Sequence, residues 1–181
     1  MCNLILFGAS GNIARKKIFP ALYEWYNDPK SIDIPNINKV IGYGRTNFSQ
    51  EQFQEIVNNE KNMEMKFINR FDYQTGQYDL YDDFVKLKIK IKNSHIPKNE
   101  PLILYLGIPS KLITDIIKNL VLSGIDQYYD CRYILEKPIG NNLKECNLII
   151  SEIEDLIDVN KIYIIDHYLG KSNIRDLIKK M

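Results

Sequence analysis

Apolar residues fall in short clusters along this chain, separated by longer amphipathic stretches. The runs Asn3 to Phe7, Lys39 to Tyr43, Lys66 to Arg70, Leu102 to Leu106, Arg132 to Leu135 and Lys161 to Ile165 are β-branched or aromatic in character and read as strands. Between them the period lengthens. Asn12 to Tyr26 sets Ile18, Leu22, Trp25 and Tyr26 on one face, the stripe with which a helix packs on a sheet. The alternation predicts an α/β fold: a Rossmann-type, doubly wound, mostly parallel sheet of about six strands with helices on both faces. Residues 1–181 read as a single domain of that kind.

Two places within this pattern strain it. Pro20 sits inside the first helix, where its missing N–H costs about 3 kcal/mol unless the helix kinks, so a kink is expected. Phe84 to Asn93 alternates lysine with apolar residues as a strand would, yet Phe84, Leu87 and Ile91 form a helical stripe. Its position between two strands favours a helix whose lysines face solvent. Asn27 to Asn38 and Asn93 to Pro101, with their prolines and polar residues, read as loops.

Composition changes the picture mainly by exclusion. With 45% apolar and 26% charged residues and a net charge of +1, the chain is balanced for a globular core and has no excess charge that would favour nucleic acid or an anionic membrane. No run approaches the roughly 20 apolar residues that cross a bilayer, and the opening "LILF" lacks the basic lead of a secretory signal. Cys2, Cys131 and Cys146 have no CxxC spacing, which fits reduced thiols in the cytoplasm. With only His95 and His167 as imidazoles, no metal site is expected.

Chemistry gathers where strands end. "LILFGASGNIARKK" runs from an apolar strand through Gly8 and Gly11 into a basic helix. This arrangement presents backbone N–H groups and a helix dipole to a phosphate. Gly8 permits the sharp turn, Gly11 leaves room for a diphosphate, and Ala14 lets the helix lie close to the sheet. The second strand ends in Arg45 and Thr46, with no carboxylate before Glu51. A carboxylate there would select NAD; a guanidinium would instead pair with a 2′-phosphate, so NADP is the expected coenzyme. Pro109, Lys137 and Pro138 follow two later strands and should line the same crevice. "IIDHYLGK" then sets Asp166, His167, Tyr168 and Lys171 together after the last strand, ahead of an expected break at Leu169 or Gly170. With Lys137 these donors would suit a phosphorylated sugar.

The stretches "GASGNIARKKIFPAL", "GYGRTNFS", "YQTGQYD", "YLGIPS", "ILEKPIG" and "IDHYLGK", in this order, resemble the glucose-6-phosphate dehydrogenase family over its N-terminal coenzyme domain. The resemblance implies an enzyme that oxidises C1 of glucose 6-phosphate to 6-phosphogluconolactone and passes hydride to NADP, the first step of the oxidative pentose phosphate pathway. It implies that Gly8, Ala9, Ser10, Gly11, Asn12 and Ile13 form the diphosphate loop, that Arg45 clamps the 2′-phosphate, and that Tyr73 stands near the adenosine end. Lys137 would lie between coenzyme and sugar, with a cis bond before Pro138. His167, Tyr168 and Lys171 would bind the sugar phosphate, and Asp166 would orient the general base. Asn12 stands where the family has Asp, and Ser172 where it has Glu.

That general base is, in the family, a histidine in a β+α domain further along the chain, and His95 lies in a loop with no reason to replace it. The expectation is therefore a piece that binds coenzyme without turnover. It should be monomeric, whereas the whole enzyme would be a homodimer or homotetramer through the second domain, in some lineages fused to a lactonase. Two other readings fit part of the pattern: an enzyme of the glucose-fructose oxidoreductase type, which does not continue into "DHYLGK", and a non-catalytic NADP-sensing module. A short-chain dehydrogenase is set aside, because Tyr26 and Lys30 come too early for its Tyr-x-x-x-Lys pair.

Overall fold

The computed structural model describes residues 1–27, 37–58 and 62–166. Six parallel strands form one sheet in the order β3-β2-β1-β4-β5-β6. They are β1 (Cys2–Phe7), β2 (Ile37–Gly44), β3 (Phe71–Thr75), β4 (Pro101–Leu106), β5 (Asp130–Glu136) and β6 (Ile162–Ile165). Helices α1 (Phe19–Asn27), α2 (Gln50–Asn58), α3 (Met65–Ile68), α4 (Tyr81–Asn93), α5 (Ile113–Leu122), α6 (Ile125–Tyr128) and α7 (Leu143–Glu154) connect them. Parallel crossovers are right-handed. Those leading from β1 to β2 to β3 therefore lie on one face, and those leading from β3 through β4 and β5 to β6 lie on the other. The chain reverses direction between β1 and β4, so the crevice for a ligand opens at the carboxyl ends of those strands.

Two apolar cores, one on each face, hold this arrangement. Leu4, Leu6, Phe19, Val40, Phe53, Phe67 and Phe71 pack beneath α1, α2 and α3. Ile5, Phe7, Tyr43, Phe84, Leu87, Leu104 and Ile117 belong to the core beneath α4, α5 and α7. Every residue of β1 is buried, which is why its sequence is apolar on both faces, with Asn3 the one exception, and not an alternation. Cys2 and Cys131 are buried, Cys146 is half-buried, and none of the three is in a disulfide.

The first helical stretch differs from the expected regular helix. Helical backbone begins at residue 12, but Ala14–Ile18 forms a π-helical turn in which the Phe19 N–H donates to the Ala14 carbonyl, five residues back. The irregularity expected from Pro20 thus takes the form of a widened turn just before it. Five-residue spacing puts Ala14 and Phe19 on the sheet, both buried. Ile18, Leu22, Trp25 and Tyr26, the stripe read from α periodicity, are only half-buried beside them.

The third strand is also displaced from its expected place. Lys66 to Arg70 is not a strand: Met65–Ile68 is the helical turn α3, with Phe67 and Ile68 buried, and β3 starts at Phe71. An edge strand needs only one apolar face, and Phe71 and Tyr73 supply it while Asp72 pairs with Lys39 at 3.0 Å. Residues Phe84 to Asn93 do form a helix, inside α4, with Phe84, Leu87 and Ile91 buried. Its lysines are largely solvated, except that Lys88 Nζ donates to the Ser123 carbonyl at 2.6 Å. Of the expected loop Asn27 to Asn38, Asn27 ends α1, Ile37 and Asn38 begin β2, and the rest lies outside the described residues. His95 is an exposed residue just after α4, with φ +54°.

Candidate functional site

The turn after β1 is fixed to β2. Gly8 and Ala9 donate their amides to the Tyr43 carbonyl at 3.0 and 3.2 Å, and Gly11 donates to Gly8 O at 2.9 Å. Gly8 has φ +82°, and a Cβ there would lie 2.2 Å from the Gly107 carbonyl oxygen, so both conformation and space require glycine. Ala9 is fully buried, whereas Gly11, Asn12 and Ile13 are exposed. The amides of Asn12 and Ile13 stand in a first helical turn, where no intrahelical acceptor exists.

At the neighbouring strand end Arg45 is exposed, and its guanidinium carbon lies 5.7 Å from the Tyr78 ring centre. Two hydroxyls from β3 hold the next residue: Tyr73 donates to Thr46 O at 2.7 Å and Thr75 at 3.2 Å. Tyr73 also shares a hydrogen bond with Ser10 of the glycine turn. Its ring stacks on Phe53, 4.6 Å between centres, and burial pushes its phenol up to about 12, so it is a neutral donor near neutral pH. Tyr73 therefore acts from within the core, bracing the strand end that carries Arg45.

The sequence pattern did not single out Tyr78, which links these parts. Its ring lies under Arg45 and its hydroxyl shares a hydrogen bond with the Gly8 backbone. Burial raises its phenol pKa, against the opposing pull of the Arg45 charge and the Gly8 backbone. The segment carrying Tyr78 is held from three sides. Tyr43 donates to Gln77 O at 2.7 Å, the Gln77 amide donates to Asp83 Oδ2 at 2.8 Å, and buried Asn119 donates to Tyr78 O at 3.3 Å. Nothing local marks Tyr78 among the 12 tyrosines; the signal was its place in "YQTGQYD".

Across the crevice Pro109 is exposed at the end of β4, where it precedes a 3-10 turn over Ser110–Leu112. Lys137 follows β5, and the bond between Lys137 and Pro138 is cis, as expected. The Lys137 amide donates to Ile165 O at 3.0 Å, and its ammonium lies 3.8 Å from Asp166 Oδ2. More than half of the Lys137 side chain is exposed, so its charge is available at the surface of the crevice. His167, Tyr168, Lys171 and Ser172 lie outside the described residues, as do Leu169 and Gly170. Among the described residues no three His, Cys, Asp or Glu side chains converge in a metal-binding group. No helix among them is long and apolar enough to cross a membrane.

The carboxyl edge of the sheet thus brings together donor amides, one exposed guanidinium and one exposed ammonium beside a carboxylate. Comparison with known proteins points the same way. A family model described as "Glucose-6-phosphate dehydrogenase, NAD binding domain" matches residues 5–176. The glucose-6-phosphate 1-dehydrogenase of Schizosaccharomyces pombe is 31% identical over 97% of this chain and 37% of its own length. The cytoplasmic glucose-6-phosphate 1-dehydrogenase 6 of Arabidopsis thaliana is 32% identical, with the same shares covered. A solved structure described as glucose-6-phosphate dehydrogenase in complex with its substrate glucose-6-phosphate superposes with a TM-score of 0.82 at 28% identity, over 97% of this chain and 38% of that one. The chain therefore spans about 37% of the length of these curated relatives.

Proposed function

Because this chain belongs to the glucose-6-phosphate dehydrogenase family, as its NAD-binding domain, we propose that it is the NADP-binding part of an enzyme that oxidises glucose 6-phosphate to 6-phosphogluconolactone. The observation that carries the coenzyme choice is Arg45: an exposed guanidinium held over Tyr78 at the end of β2, with the glycine turn one strand away. The diphosphate sits on the turn formed by Gly8, Ala9, Ser10, Gly11, Asn12 and Ile13, where helix-start amides and the dipole favour an anion. Arg45 takes the 2′-phosphate through paired N–H donors. The coenzyme supplies the hydride acceptor; the chain's own residues bind and orient it, with Pro109 and Lys137 on the nicotinamide side.

Glucose 6-phosphate is held by Lys137, His167, Tyr168 and Lys171, which supply the several charged and hydroxyl donors that a phosphoryl group needs. Asp166 orients a histidine base that belongs to the remaining part of the enzyme, so the 181-residue chain binds coenzyme without turnover. The chain alone is monomeric; the whole enzyme works in the cytoplasm as a homodimer or homotetramer.

Calorimetric titration of NADP and NAD into the chain tests this reading. Heat is preferable to the fluorescence of Trp25, which lines a groove with Ile37 and Arg70 at the amino ends of the strands, away from the crevice. NADP binding at least tenfold tighter than NAD, with the preference lost in Arg45→Ala, is the expected result. Equal affinities in the unsubstituted chain overturn it, and steady formation of NADPH from glucose 6-phosphate by the chain alone overturns the assignment of the base.

A further inference from the structure

Tyr105 and Glu136 lie on the half of the sheet beyond α1, where the strand residues of β4 and β5 that face this side are half-buried. In the register of β4 and β5, Tyr105 stands opposite Ile134, two residues before Glu136. The Tyr105 ring covers that offset. Its hydroxyl donates to Glu136 Oε1, a charge-assisted bond across strands. Gly107 lies against this ring: a Cβ there would stand 3.4 Å from Tyr105 Cε1, an ordinary contact, and a tighter 3.2 Å from the Phe7 carbonyl oxygen.

Both ends of this strut abut the crevice. Gly107 packs its carbonyl against Gly8 of the glycine turn, and Ile108 and Pro109 follow it. Glu136 is followed directly by Lys137 and the cis bond to Pro138. A rotation of the β5 end relative to β4 would carry Lys137 with it, and the Tyr105–Glu136 bond is the side-chain link that resists such a rotation. Beyond the register pairs Leu106–Leu135, no backbone pairing joins the two strands.

We propose that Tyr105 is a positioning residue for the nicotinamide side of the crevice: through Glu136 it fixes where Lys137 stands relative to the glycine turn. This rests on the coenzyme reading above. Tyr105 bonds to Glu136 on the β5 side of the crevice, beside Lys137, so its effect falls on that half of the coenzyme. The carboxylate also keeps Tyr105 protonated: burial and then the Glu136 bond push its phenol well above the usual range, which leaves the donor intact throughout the neutral range.

The test uses two probes, NADP and 2′,5′-ADP, which carries the adenosine half with its 2′-phosphate but no nicotinamide. Calorimetry on the 181-residue chain compares Tyr105→Phe, Glu136→Gln and Glu136→Ala with the unsubstituted protein. Tyr105→Phe is expected to weaken NADP about five- to tenfold while 2′,5′-ADP stays within about twofold, less than the whole of a charge-assisted bond because Tyr105 reaches the coenzyme only through Lys137. Glu136→Gln, which still accepts from the phenol, is expected to bind NADP closer to the original than Glu136→Ala does. Equal weakening of both probes, or of neither, overturns the proposal. So does an unsubstituted chain that binds NADP no tighter than 2′,5′-ADP. Failure of the unsubstituted chain to bind either probe removes the coenzyme reading itself.

Discussion

The Arg45 guanidinium carbon stands 5.7 Å from the centre of the Tyr78 ring, and the same tyrosine reaches the Gly8 backbone with its hydroxyl. One side chain thus ties the proposed 2′-phosphate clamp to the proposed diphosphate turn. Tyr78→Leu is expected to reduce the preference for NADP over NAD about two- to fivefold, the value of an exposed cation–π contact. Tyr78→Phe keeps the ring, so it should keep the preference and weaken both coenzymes alike. Dissociation constants for the two coenzymes with each variant decide this.

Gly8→Ala should destabilise the chain more than any other glycine-turn substitution. A left-handed conformation costs a non-glycine residue about 1–2 kcal/mol, and the new Cβ would also meet the Gly107 oxygen at 2.2 Å. Urea unfolding is expected to show a loss beyond that strain alone, with Gly11→Ala, whose nearest contact is 3.0 Å, losing less.

Phe19 lies edge-on to Phe53 and Phe71, with ring centres 5.9 and 5.7 Å apart, and is fully buried. Its truncation to Ala should cost about 3–5 kcal/mol of unfolding free energy. Ile18→Ala, half-buried one position earlier, should cost clearly less. Equal losses would contradict the five-residue spacing of this helix.

Asp83 gives the fold a pH dependence. Burial raises its carboxyl pKa, but the bonds from Lys86 and the Gln77 amide outweigh that and hold it below the ordinary carboxylate range. A depressed folded pKa means that the stabilisation is present above the unfolded value, about 3.9, and is lost as pH falls through the lower folded value. Asp83→Asn should therefore lower the melting temperature at pH 6, with the gap closing as the pH is taken below about 4. Because Asp83 holds the segment before Tyr78, NADP affinity should fall together with that stability.

The sheet was legible in the sequence where strands carry apolar residues on both faces. β1, the middle of β4 and β5 are continuous or nearly continuous apolar runs, and their ends set the glycine turn, Pro109 and Lys137 at one edge. β3 was not, because an edge strand spends half its residues on solvent and ion pairs. Phe67 and Ile68, although apolar, serve a helical turn. The π-helical turn left no trace in a periodicity analysis built on 3.6 residues. The place of Arg45, directly after β2 and exposed, was legible in the sequence. Tyr78 and Tyr105 were not, because each acts on partners remote in the chain: Arg45 and Gly8 for Tyr78, and Glu136, 31 residues away, for Tyr105. Such pairs exist only after the strands have been ordered, and only folding supplies that order.

The widened turn between Ala14 and Phe19 also bears on insertions and deletions. A residue added to a regular helix rotates everything beyond it by about 100°, and this helix already contains such an offset. Removing one residue between those two positions would restore regular geometry and, by the same rotation, swing Leu22 and Tyr26 away from the surface they now cover. For this segment the regular form is the damaging one, and a shortened chain would satisfy every backbone bond while leaving its aromatic core uncovered.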